Sequence, residues 1–168
     1  MSPSTPRPVG APVDPDTGVG PARRPVRHAD PAVLAVIAVG GVLGSEARYA
    51  LAAWHPAVAD QWPATVFWIN VAGSFLLGAL MVLLTELTSP HRLMRPFLGV
   101  GVLGGFTTFS SAMVDVHRLF LAGRPVLAFA YLLGTAVVAL VAVALGALAT
   151  RAVAAALVRA RSRRGGRR

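Results

Sequence analysis

Residues 33–53, 64–84 and 126–149 are almost uniformly apolar, and this property excludes most folds open to a chain of this size. A water-soluble domain alternates apolar and polar positions so that each element keeps a wet face. A helix crossing the hydrocarbon core instead needs about 20 apolar residues in succession. All three runs are long enough, and residues 93–122 make a fourth, more polar and interrupted by glycine. The expected fold class is therefore all-α integral membrane, with four transmembrane helices per subunit at roughly 33–53, 64–87, 93–122 and 125–150, inside a membrane domain of residues 31–158.

The flanks differ in kind. Residues 1–30 carry Pro3, Pro6, Pro8, Pro12, Pro15, Pro21 and Pro25 among Gly, Asp and Arg. Such a composition buries too little apolar surface to offset chain entropy, so it reads as a disordered cytoplasmic tail. A cleaved leader would place its apolar stretch soon after the basic start, yet here that stretch begins near Val33, which predicts a retained helix. Residues 159–168 read as a basic cytoplasmic tail.

The net charge of +9 comes from arginine, concentrated at the two ends, with no lysine at all. On a folded surface that charge would point to nucleic acid. At the ends of membrane helices it points to lipid headgroups and to topology, and no nucleic-acid partner is expected. The loop at 55–63 lacks basic residues, whereas the loop at 89–96 holds Arg92 and Arg95, and Arg118 and Arg124 border the third loop. With four spans, both termini share a side with Arg92 and Arg95, so the positive-inside rule predicts a multi-pass protein of the cell membrane with both termini cytoplasmic. The absence of cysteine removes disulfides and thiolate metal sites. No nucleophile–base pair or metal-ligand cluster stands out, and an enzyme is not expected.

Polar residues inside the spans are functional candidates because each costs free energy without a partner. Asn70 lies in the second span between Thr65 and Ser74. Its amide either bridges two helices or offers donors to a dehydrated anion. Gly40 and Gly44, like Ser74 and Gly78, have the four-residue spacing that lets helices approach closely. Residues 99–111 read Gly-Val-Gly-Val-Leu-Gly-Gly-Phe-Thr-Thr-Phe-Ser-Ser. Gly104 and Gly105 favour a break in the third helix at mid-membrane, which frees backbone groups that protein, water or an ion must satisfy. Freed carbonyls can hold a cation. The hydroxyls of Thr107, Thr108, Ser110 and Ser111 supply further ligands, for an ion or for the loosened backbone itself. Phe106 and Phe109 either pack or turn a positive ring edge toward an anion. Tyr131 and Thr135 are four apart on one helix face and extend a polar track, unless Tyr131 serves as an interfacial anchor. Arg48, near the end of its helix, is placed to snorkel outward.

The order of these motifs resembles the CrcB/Fluc fluoride channels from about Val33 to Ala149. Gly-Gly-Val-Leu-Gly-Ser-Glu-Ala-Arg-Tyr at 40–49 is similar to that family's first-helix signature, and Thr65 through Asn70 to Gly-Ser-Phe at 73–75 is similar to its second. Gly-Gly-Phe-Thr-Thr-Phe-Ser at 104–110 resembles its third-helix break. The resemblance implies an antiparallel dimer with two narrow pores, a central structural Na+ and passive fluoride export that protects the cytoplasm. By position, backbone carbonyls of Gly104 and Thr107 would hold the sodium. Asn70 and Phe109 would line the fluoride path, and Thr108, Ser110, Ser111, Tyr131 and Thr135 would extend it. Arg48 and Gly105 would be structural.

One departure bears on assembly. The family usually places a second phenylalanine three residues after the first, where this chain has Ala112, and Asp115 stands where glutamate is commoner. An antiparallel homodimer also needs each chain to insert both ways, which a strong positive-inside bias opposes. The expectation is a heterodimer whose second, oppositely oriented homologue supplies the absent ring. Two rivals remain: a small multidrug-type transporter with Glu46 as proton-coupled carboxylate, and a bundle protein without transport, in which the hydroxyl run is helix glue.

Overall fold

The computed structural model describes residues 30–58, 60–88 and 90–165; the expected N-terminal tail lies outside them apart from Asp30, as does the very end of the C-terminal one. The described residues form helices and loops, and four helices are long and apolar enough to cross a membrane. They are α1 (Pro31–Trp54), α2 (Ala64–Leu87), α3 (Arg95–Leu121) and α4 (Pro125–Gly165).

Local chemistry sets the ends. Asp30 caps α1 by accepting the Ala32 N–H at 2.9 Å, and Pro31 opens the helix with its φ already fixed. After α1, the Thr65 hydroxyl donates to the His55 carbonyl at 2.6 Å and closes the first loop. Trp62 in that loop meets Phe67 and Tyr131 edge-on, with centroids 5.4 and 5.3 Å apart, which pins the loop against α4. The last turn of α2, Leu83–Leu87, widens to π geometry, and Glu86 there takes a two-pronged ion pair from Arg151 of α4. Asp30 likewise pairs with Arg92 at 2.8 Å. Gly123, at φ +71°, provides the left-handed residue that turns α3 into α4.

α1 packs mainly on the first half of α3, and α2 mainly on α4. Both seams are backbone to backbone. A Cβ on Gly40 would sit 2.6 Å from the Phe97 carbonyl oxygen, and one on Gly44 would strike the Val102 carbonyl. Across the other seam, Gly78 lies against the Val143 carbonyl and Gly146 against that of Phe75. The small-residue spacing at 40 and 44 thus marks a close approach, as does Gly78. Ser74 faces elsewhere, and Gly146 is the counterpart that spacing alone does not reveal. Large apolar side chains point outward over much of the surface, among them Trp54, Leu121, Val126 and Leu140. That pattern suits a lipid surround.

The sequence places the third helix's weak point at Gly104 and Gly105, and the backbone corrects this. α3 is π-wound over Arg95–Leu103, α-helical over Gly104–Phe106, and extended at Thr107 and Thr108, then resumes as α-helix over Phe109–Leu121. Two β-branched residues, not the two glycines, leave helical geometry, consistent with their preference for extended backbone. α4 also differs from expectation, remaining helical well past residue 150 to Gly165. Alanine and arginine dominate this stretch, and both are strong helix formers.

Candidate functional site

Thr107 lies at φ −77°, ψ 154° and Thr108 at φ −152°, ψ 124°, so the Thr107 N–H makes the last i→i−4 bond, to the Leu103 carbonyl at 3.0 Å, and Thr108 is left outside the ladder. Asn70 meets the consequence directly. Its Nδ2 donates to the Thr108 carbonyl at 2.9 Å, and its Oδ1 accepts the Thr108 N–H at 2.8 Å. One side-chain amide therefore satisfies both backbone groups of an extended residue, as a neighbouring strand would. Asn70 is about nine-tenths buried, which makes the pairing matter more.

Each threonine adds a bond of its own. The Thr107 hydroxyl donates back to the Leu103 carbonyl at 3.0 Å. The Thr108 hydroxyl accepts the Ser111 N–H at 3.2 Å, capping the second half of α3, and lies 3.2 and 3.1 Å from the Ser110 and Ser111 hydroxyls. Arg48 does not snorkel outward. Its Nε donates to the Gly105 carbonyl at 3.2 Å, near the C-terminal end of the first half of α3, where cationic charge is favoured. Arg48→Met is expected to remove about 1.5–3 kcal/mol of stabilisation, the range for a hydrogen bond to a charged group. Unfolding in detergent should register that loss, with Arg48→Lys recovering part of it.

Asn70, Thr107 and Thr108 face a cleft of about 440 Å³ lined also by Ser74, Gly104, Phe109, Ala112 and Thr135. Phe109 is 72% exposed, and Thr135 is buried at the cleft wall. The Thr135 hydroxyl donates to the Tyr131 carbonyl at 2.6 Å, so its proton is committed to its own helix. Tyr131 stands apart, fully buried in an apolar cluster with Ala112, Leu119 and Ala128. Its hydroxyl has no hydrogen-bond partner among the described residues. Ser110 is exposed beside Thr108. Ser111 opens instead onto a second cleft with His55, Thr65, Asp115 and Arg118.

Sequence reasoning gathers most of the first cleft but misses Ser74 there and Asp115 in the second. Ser74, four residues after Asn70, reads as part of a seam, although that same spacing puts it on Asn70's face. Asp115 draws notice only as a departure, yet it is 4% exposed, with Oδ1 accepting from Arg118 at 3.3 Å. A carboxylate six residues after Phe109 in an apolar span is the available signal. Glu46 lies exposed on α1 and makes no hydrogen bond or ion pair among the described residues.

The sequence matches the family described as CrcB-like protein, Camphor Resistance (CrcB), over residues 35–147, a stretch that contains every group named in the cleft. The chain belongs to this family. It is 49% identical to the fluoride-specific ion channel FluC 2 of Streptomyces avermitilis over 67% of this chain and 72% of that protein. It is 50% identical to FluC 1 of Streptomyces coelicolor, over 72% of this chain and 79% of the relative. A further relative from S. avermitilis, FluC 3, is 44% identical over 79% of this chain and 65% of its own length. All three relatives are named as ion channels, not as enzymes. Four apolar helices in a CrcB-like chain make it a multi-pass membrane protein.

Proposed function

We propose that this CrcB-like chain is a subunit of a fluoride-specific channel that lets cytoplasmic fluoride leave passively and so limits its toxicity. The observation that carries the reading is the Asn70–Thr108 pairing at the head of a polar cleft. Fluoride is small and strongly hydrated, so a path for it must replace water with many weak donors and still release the ion. Asn70 spends one amide N–H on Thr108 and keeps a second. The Thr108, Ser110 and Ser111 hydroxyls exchange bonds with one another and can reorient toward a passing anion. Phe109, exposed at the cleft, offers its positive ring edge. Thr135 walls the cleft on α4, while Tyr131, one turn earlier, stands behind it in the apolar cluster. No bond is made or broken in this process.

The extended pair at Thr107 and Thr108 lies at the bilayer midplane in this reading, where it breaks the third span. Gly104 and Thr107 line the same cleft, and their carbonyls would hold a structural sodium ion. An all-carbonyl oxygen shell suits a hard cation. Both termini lie in the cytoplasm of a plasma-membrane protein, because Arg92, Arg95 and Arg151 gather at one end of the bundle.

The active assembly is an antiparallel dimer in which this chain is one half of a heterodimer. Ala112 stands where a second ring would be; it lines the cleft with only a methyl group and packs behind against Tyr131 and Ala128. S. avermitilis holds relatives numbered 2 and 3, which supports pairing between homologues. Fluoride efflux from liposomes tests the reading, with this chain alone and then with a homologue from the same genome. Efflux only with the homologue is the expected result. Efflux from the chain alone would replace the heterodimer by a homodimer, and no efflux from either would remove the channel reading.

A further inference from the structure

α4 is longer than a bilayer requires. Its 41 residues rise about 60 Å, against a hydrocarbon core of about 30 Å. Arg151 of α4 is clasped by Glu86 in the last turn of α2. Beyond it the backbone stays helical to Gly165, and the sequence carries Arg159, Arg161, Arg163 and Arg164. No acidic residue follows Asp115 anywhere in the chain, so this stretch has no acid of its own to balance those arginines.

Charge nearer the bundle is largely spent. Asp30 holds Arg92 and Glu86 holds Arg151, which among the described residues leaves the positive charge of this end to Arg95 and the helical arm. The arm continues the same helix whose Thr135, Ala136 and Ala139 wall the polar cleft, and Arg159 stands about 30 Å along the axis from Ala139.

We infer that this arm is an electrostatic collector, raising the local concentration of small anions at the end of the bundle from which it projects. The inference rests on the channel reading. Its range follows from screening, about 8 Å at physiological ionic strength and about 30 Å at 0.01 M, so its influence on current should grow as salt is diluted. Focusing by a basic mouth changes local ion concentration by about tenfold or more.

The test is unitary fluoride current through the conducting dimer in planar bilayers of neutral lipid, at about 0.01 M and about 1 M ionic strength. The full chain is compared with R159Q/R161Q/R163Q/R164Q and, separately, with a chain ending at Val158. Both variants keep the Glu86–Arg151 pair, and their dimer is checked by size-exclusion elution. In dilute salt the larger of the two directional currents should fall by about threefold or more in both variants, and the difference should vanish in concentrated salt. Equal currents in dilute salt, or the same ratio at both salt levels, would overturn the inference while leaving the channel intact. Absence of fluoride current in the unaltered dimer would overturn the channel reading and this inference together.

Discussion

Asn70→Leu is expected to stop fluoride movement and to destabilise the bundle by about 2–6 kcal/mol, because it strands the Thr108 N–H and C=O together at about 1–3 kcal/mol each. Leucine keeps the number of side-chain heavy atoms but is bulkier and tetrahedral at Cγ, so a packing cost adds to the lost hydrogen bonds. Asn70→Asp separates support of the backbone from selection of the ion. One carboxylate oxygen still accepts the Thr108 N–H, but the other then faces the Thr108 carbonyl oxygen where Nδ2 had donated. That variant is expected to be as inactive as leucine. Liposome efflux and detergent unfolding read the two effects, and normal fluoride flux through the Asn70→Asp variant would show that the amide donor is dispensable.

Gly78→Val should be among the most damaging changes outside the cleft. Even the first carbon of a side chain there meets the Val143 carbonyl oxygen, a backbone atom with no rotamer in which to retreat. Overpacking of this kind costs about 1–3 kcal/mol and occasionally more, and the branched valine belongs at the upper end. The expected outcome is loss of the folded subunit from detergent extracts, with Gly78→Ala intermediate. Gly41→Ala provides the control, since nothing lies within 4 Å of the added carbon and alanine favours the helix. Equal behaviour of Gly41→Ala and Gly78→Ala would mean that the α2–α4 seam is looser than its geometry.

The helices are legible because apolar length is a one-dimensional signal, readable without knowing any neighbour. Asn70 and the run from Gly104 to Ser111 are legible because polar atoms are rare in such spans. What the third helix does at that run is not. Glycine's propensity points to residues 104 and 105, whereas the extended pair is Thr107 and Thr108, stabilised by an amide 38 residues earlier in the chain. Arg48 shows the same limit: local sequence gives a long cation near a helix end, and only the fold supplies the Gly105 carbonyl. Tyr131 and Thr135 share a helix face as their spacing implies, yet their depths differ in kind, since the ring sits in an apolar cluster and the hydroxyl at the cleft wall.

The backbone-to-backbone seams at Gly40, Gly44, Gly78 and Gly146 have an evolutionary consequence. Two helices that touch through their main chains have no side-chain shapes to co-adapt, so a substitution on one side cannot be rescued by a smaller partner on the other. Drift at these four positions is therefore nearly closed. Change has to accumulate on the outward apolar faces, where one large aliphatic residue serves a lipid surround as well as another.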